Sequence, residues 1–177
     1  MRILAIDPGN TESGWVVIDT DSREPEHFGK TPNSELRKLI LTGHDDVEAD
    51  HVVIEMIKSY GMPVGADVFE TCVWIGRFCE AVRGNWYPFS EPDLVYRADV
   101  KLHHCHSAKA KDSNITQALV DRFASGVPNH GKGSKANPGW FYGFKADIWQ
   151  AYALAVYTAD TLATDVRSGS YAREVAS

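Results

Sequence analysis

Long apolar runs are missing from this chain: no stretch approaches the roughly 20 residues that a membrane-spanning helix requires. Nothing near the start pairs a basic segment with an apolar core, so neither anchor nor leader is expected, and no membrane partner. Cysteine is scarce. The three present, Cys72, Cys79 and Cys105, make an odd number. With two of them on one predicted helix they read as reduced core thiols of a cytoplasmic protein, not as a disulfide framework. Positive charge is short as well: 18 Lys and Arg face 24 Asp and Glu, a net charge of −6. That balance excludes a bulk electrostatic binder of nucleic acid and leaves room for local basic patches. Repeats and composition-biased linkers are lacking, and 177 residues suit one domain spanning residues 1–177, too short for a pair of full α/β domains.

What is present begins at once. Ile3-Leu4-Ala5-Ile6 is a continuous apolar run, the pattern of a strand buried on both faces. It delivers Asp7 into the Pro8-Gly9-Asn10 turn, and Trp15-Val16-Val17-Ile18 returns after Gly14 as a hairpin partner. A carboxylate at the end of a buried strand calls for a cation to meet it. This opening is shared by two groups: ribonuclease H-like nucleases, whose strand-borne Asp binds Mg²⁺, and the sugar kinase, actin and heat-shock ATPases, whose Asp-x-Gly-x-Thr turn matches Asp7, Gly9 and Thr11. The ATPase reading needs a second lobe, a second phosphate loop and an adenosine site; the sequence offers none of them.

Further along, Glu26 to Lys30 reads as an edge strand, and Ser34 opens a short helix with Leu36, Leu39 and Ile40 inward and Gly43 at its end. His44 to Asp50 reads as a solvated acidic connection. Val52-Val53-Ile54-Glu55 then repeats the first strand's arrangement, so parallel neighbours would place Asp7 and Glu55 at one sheet edge. A connection carrying Lys58, Tyr60 and Met62 leads to a long helix, Ala66 to Arg83. Val68, Cys72, Ile75, Cys79 and Val82 form its predicted buried stripe, and Trp74 sits among charges as the hint of a partner surface. Leu94 to Tyr96 predicts another strand. The run Lys101 to His106 holds adjacent histidines and a cysteine without the separations that fold ligands around zinc. A helix starting at Ser113 carries Ile115, Leu119 and Phe123 on one face. Residues 129–144, with glycines, lysines and aromatics, read as a long loop near the site. Asp147 falls in the first turn of a final helix whose Ala151, Ala155 and Ala159 permit close approach to the sheet, and the tail past Thr164 reads as frayed.

Three acids thus share a placement: Asp7 and Glu55 at strand ends, Asp147 at a helix start. Hard oxygen donors of this kind suit Mg²⁺, with Mn²⁺ as a substitute. Two such ions about 3.5–4 Å apart activate water and stabilise the leaving oxygen of a phosphodiester.

In these stretches the chain resembles the RuvC family of Holliday junction resolvases of bacteria and their phages, from Arg2 to Asp160. ILAIDPGNTESGWVVI matches the first strand and hairpin, VVIEMI the second acid, VKLHHCHSAKAKDSNITQAL the basic stretch and KADIWQAYALA the closing acidic helix. The resemblance implies an α/β fold: a ribonuclease H-like mixed β-sheet flanked by α-helices, working as a homodimer in a bacterial or phage-infected cytoplasm. It implies a metal-dependent, structure-selective endonuclease that resolves four-way or other branched DNA with two Mg²⁺ ions and leaves a 5′-phosphate. Asp7, Glu55 and Asp147 match metal ligands. Lys101 and Lys111 match basic residues near the scissile phosphate, Lys111 with a catalytic role. Lys58, Lys109 and Tyr60 join them as DNA contacts, Tyr60 at the junction centre. One departure stands out: where the family has another acidic or histidine ligand a helical turn from its last acid, this chain has Gln150. A non-catalytic junction-binding module is therefore the competing reading.

Overall fold

Alternation along the first strand decides the architecture. In the computed structural model, which describes residues 1–59, 61, 63–85 and 91–168, β1 (Arg2–Asp7) turns Ile3 and Ala5 to one face and Leu4 and Ile6 to the other. All four are fully buried, so both faces of the sheet must be covered. β2 (Glu12–Asp19) and β3 (Pro25–Pro32) extend the sheet antiparallel from β1. On the other side β4 (His51–Met56) and then β5 (Asp93–Tyr96) run parallel to it. The order is β3-β2-β1-β4-β5, which puts β1 at the centre and makes β3 the edge strand its mixed sequence predicted.

Helices α1 (Asn33–Thr42) and α2 (Ala66–Asn85) cover the Leu4 and Ile6 face. Leu36, Ile40, Ile75, Phe78 and Val82 meet Trp15, Val17 and Ile54 there. Gly43 closes α1 in the left-handed conformation at φ 61°, as its position after the last periodic residue predicts. The other face receives α3 (Arg97–Cys105), α4 (Asp112–Phe123) and α5 (Ile148–Ser168). Ala151, Ala153, Ala155 and Ala159 of α5 are buried against β1 and β2, the close approach that small side chains allow. The helix runs past Thr164 to Ser168, beyond the expected frayed end.

Three expectations need correcting. Cys72 is exposed, and Thr71, Phe78 and Ala81 take the buried positions of α2 instead; the helix presents a different arc because it leans on α1 as well as on the sheet. Trp74, expected either at a partner surface or lying across its own helix, is half-buried on Phe78 with its ring 4.5 Å from the Arg77 guanidinium. Residues 129–144 are core as much as loop. Phe141 and Phe144 are fully buried and meet Trp149 and Tyr152 in edge-on and tilted contacts. The Tyr152 hydroxyl accepts from Trp140 Nε1 and donates to the Arg23 carbonyl, each at 2.9 Å. The acidic connection at 44–50 likewise buries Val47 completely.

Candidate functional site

Parallel pairing does the positioning. β1 and β4 run side by side with Ile6 opposite Ile54, so Asp7 and Glu55 leave the sheet at the same edge. Their side chains are only 14% and 13% exposed. Behind Asp7 the Pro8–Gly9 turn is locked by a buried pair that the sequence did not announce. Ser13 Oγ donates to Asn33 Oδ1 at 2.6 Å, and Asn33 Nδ2 donates to the Gly9 carbonyl at 2.9 Å.

Asp147 comes to this edge from the other layer. It sits one residue before α5, and its carbonyl accepts the first helical bonds, from Gln150 and Ala151. The approach is tight: a Cβ on Gly14 would lie 2.6 Å from the Asp147 carbonyl carbon and oxygen. Gly14 stands opposite Asp7 in the β1–β2 register, so a residue without a side chain is required where the two acids converge. Ala146, just before Asp147, has φ 41°, a left-handed conformation that L-residues adopt at a cost.

The cation that the sequence asked for is supplied by the chain itself. β5 pairs with β4 so that Val95 stands opposite Glu55, and Arg97 follows directly as the first residue of α3. Its Nη1 reaches Glu55 Oε1 at 2.8 Å and Oε2 at 3.1 Å, with Asp7 Oδ1 at 3.7 Å. Its Nη2 lies 3.0 Å from Asp112, which Lys101 also approaches at 3.6 Å. Across the site, Lys30 of β3 meets Asp147 at 2.8 Å and Glu12 at 3.8 Å. Arg97 and Lys101 thus pair with Asp7, Glu55 and Asp112, and Lys30 with Asp147 and Glu12.

The electrostatics mark the centre. Burial pushes the Asp7 carboxyl well above the usual carboxylate range. The Glu55 charge adds to this, Arg97 opposes it, and Asp147 and Asp112 add again. Burial also raises Glu55 against the pull of Arg97. For Arg97, burial works against the charge, but Glu55, Asp7 and Asp112 outweigh it and hold the pKa above its usual value. The Asp147 pairing raises Lys30. Hard carboxylate oxygens that repel one another in a desolvated corner are a donor set fit for Mg²⁺ or Mn²⁺. In the present arrangement, among the described residues, no three His, Cys, Asp or Glu side chains form a ready metal-binding group. Arg97 and Lys30 are paired with the acids instead.

The other expected residues scatter. Lys101 joins the site through Asp112. Lys109 and Lys111 are exposed, and the Lys111 N–H donates to Asn114 Oδ1 at 2.9 Å. Lys58 is exposed with its ammonium 5.3 Å from the Tyr96 ring. Tyr60 lies outside the described residues. Gln150 is buried on the first turn of α5 at 8% exposure; its backbone N–H donates to the Asp147 carbonyl, and among the described residues no hydrogen bond joins its side chain to the acids. The sequence reading missed Arg97, Lys30 and Asn33. Only Arg97 had a signal, a cation placed directly after the third strand of the parallel set.

The architecture is that of the ribonuclease H-like class, a mixed sheet with helices on both faces. The Thermus thermophilus RuvC structure is similar over 96% of this chain and 97% of that one, with a TM-score of 0.65 and 15% identity. The structure of T. thermophilus RuvC in complex with Holliday junction substrate is similar over 90% and 93%, with a TM-score of 0.58 and 15% identity. No family model and no curated protein sequence matches the chain. Among the described residues, no helix is long and apolar enough to cross a membrane.

Proposed function

We propose that this chain is a metal-dependent, structure-selective DNA endonuclease that cuts four-way junctions or related branched DNA. The observation that carries the reading is the pair Asp7 and Glu55, with little exposure at adjacent parallel strand ends, and the close approach of the Asp147 backbone to Gly14, opposite Asp7. The likeness in fold to a RuvC bound to a junction supports the substrate class. In this reading Asp7, Glu55 and Asp147 hold two Mg²⁺ ions, or Mn²⁺ in their place. Ions there would activate a water and stabilise the leaving oxygen, giving a 5′-phosphate and a 3′-hydroxyl. Asp7 and Glu55 fix the position of the reacting phosphate because they stand on a rigid sheet. Lys101 completes the electrostatic cradle, with Lys109, Lys111 and Lys58 on the DNA side and Tyr60 at the junction centre. Two copies act together, since a four-way junction is two-fold symmetric. Phe69 and Val73, 63% and 53% exposed on α2, support a second copy on that helix.

A second reading is favoured by one observation: Arg97 already pairs with the carboxylates, as in a module that binds junctions without cutting. The deciding experiment incubates the protein and Mg²⁺ with end-labelled four-way, three-way, flap and linear duplex DNA. Nicking of branched DNA that EDTA abolishes, while binding persists, supports the endonuclease. Tight junction binding with no cleavage in Mg²⁺ or Mn²⁺ supports the module.

A further inference from the structure

Resting on that reading for the identity of the site, the geometry points to Arg97 as a resident counter-ion that a divalent cation displaces and a DNA phosphate then receives. Three observations lead there. First, placement is built in: Arg97 follows β5 directly, one strand over from Glu55, so the backbone aims it at the acids. Second, its Nη1 engages both Glu55 oxygens, at 2.8 and 3.1 Å. A guanidinium does not lose its proton in a protein. A metal ion can reach those oxygens only by moving Arg97 or by sitting against its charge.

Third, the guanidinium has a second hold. Its Nη2 is 3.0 Å from Asp112, whose side chain is 57% exposed against 14% and 13% for Asp7 and Glu55. Arg97 therefore has an outward anchor to keep when it releases Glu55. The planar fork that fits a carboxylate also fits the non-bridging oxygens of a phosphodiester. The ligand class that completes the exchange is a phosphodiester together with a divalent cation. Metal affinity in the free protein is then held low and rises when DNA takes the guanidinium. A purely structural ion pair would leave metal affinity unaffected by its loss.

The test is Mn²⁺ binding followed by electron paramagnetic resonance of the free ion, without DNA, on wild type, Arg97→Gln and Arg97→Met. Circular dichroism checks the fold of each variant. Removing a cation within contact of the metal-binding oxygens should tighten Mn²⁺ by at least about tenfold in both variants. In wild type, side-chain nitrogen NMR of the arginines should show the Arg97 signal shift on saturation with Mg²⁺ and a short four-way junction. Equal Mn²⁺ affinity in all three proteins, no Mn²⁺ binding in any, or an unmoved Arg97 signal at saturation overturns the inference. Its failure is distinct from failure of the nuclease reading. Cleavage by wild type with unchanged affinity in the variants sinks only the role of Arg97. Tightened Mn²⁺ binding without cleavage of any DNA sinks only the nuclease.

Discussion

Asp7 carries the largest electrostatic burden of any carboxylate at the site, since burial and the Glu55 charge both oppose its ionised form. Asp7→Asn removes that charge and keeps the volume. It should abolish cleavage, leave junction binding intact and raise unfolding stability, because the buried charge that burial and Glu55 oppose is gone. Activity assays paired with thermal denaturation check this; full activity would remove Asp7 from the chemistry. His104 makes an opposite kind of statement. Its Nε2 donates to the Ala153 carbonyl at 2.8 Å. Burial pushes its pKa down to about 4 from 6.5. His103 and Arg122 also disfavour its charge, while Asp160 favours it. The unfolded chain therefore binds the extra proton between those values. The His104 contribution is complete above pH 6.5, falls as the pH drops toward 4, and levels off below. Its loss amounts to at most about 3 kcal/mol. Urea denaturation of wild type and His104→Gln at pH 7 and pH 5 should show a larger loss on acidification in wild type.

At the scale of elements, the site is a meeting of β1, β4 and β5 ends with the start of α5, and Gly14 sets how closely α5 approaches. Gly14→Ala would push a methyl group to 2.6 Å from the Asp147 backbone. That should cost about 1–3 kcal/mol of stability and displace Asp147, lowering cleavage more than junction binding. Unchanged activity would show that Asp147 does not need its present position. The middle of α5 is tied down by a different device. Asp160 accepts from Arg23 at 3.0 Å and Arg122 at 2.6 Å and pairs with His103 at 2.9 Å. Burial would raise the Asp160 carboxyl, yet His103 and the two arginines hold it far below the usual range. This hub joins α3, α4, α5 and the β2–β3 turn, so α5 is held at its start and at its middle and Asp147 inherits a rigid support.

At the scale of the molecule, a net charge of −6 means that in the proposed reading DNA is met by a local surface. The acids of the site are already partly offset by Arg97, Lys101 and Lys30. The exposed apolar side chains of α2 belong to assembly in the proposed reading. Phe69→Glu with Val73→Glu places charges on that face without touching the core, because both are more than half exposed. Light scattering should show a dimer for wild type and a monomer for the double variant. A wild-type monomer with and without junction DNA would remove the two-fold argument.

The local pattern of the chain was sufficient for the strands and for the placement of Asp7 and Glu55 at strand ends. A continuous apolar run ending in a carboxylate dictates a doubly covered strand with its charge at the edge, and β1 and β4 both obey that rule. Gly43, the alanines of α5 and the hairpin were readable for the same reason: each is a local consequence of backbone or side-chain size. What the tertiary structure decided lies between elements distant in sequence. Arg97 and Lys30 reach the acids only because β5 and β3 are placed by pairing. Asn33 locks a turn more than twenty residues earlier. Phe141 and Phe144 became core by packing their rings on Trp149 and Tyr152 of α5 and, for Phe144, on Phe28 of β3, and Cys72 stayed outside because α2 divides its burial between α1 and the sheet. Periodicity reports which residues share a face of one element; which elements meet, and which charges thereby neutralise each other, is settled only when the layers close.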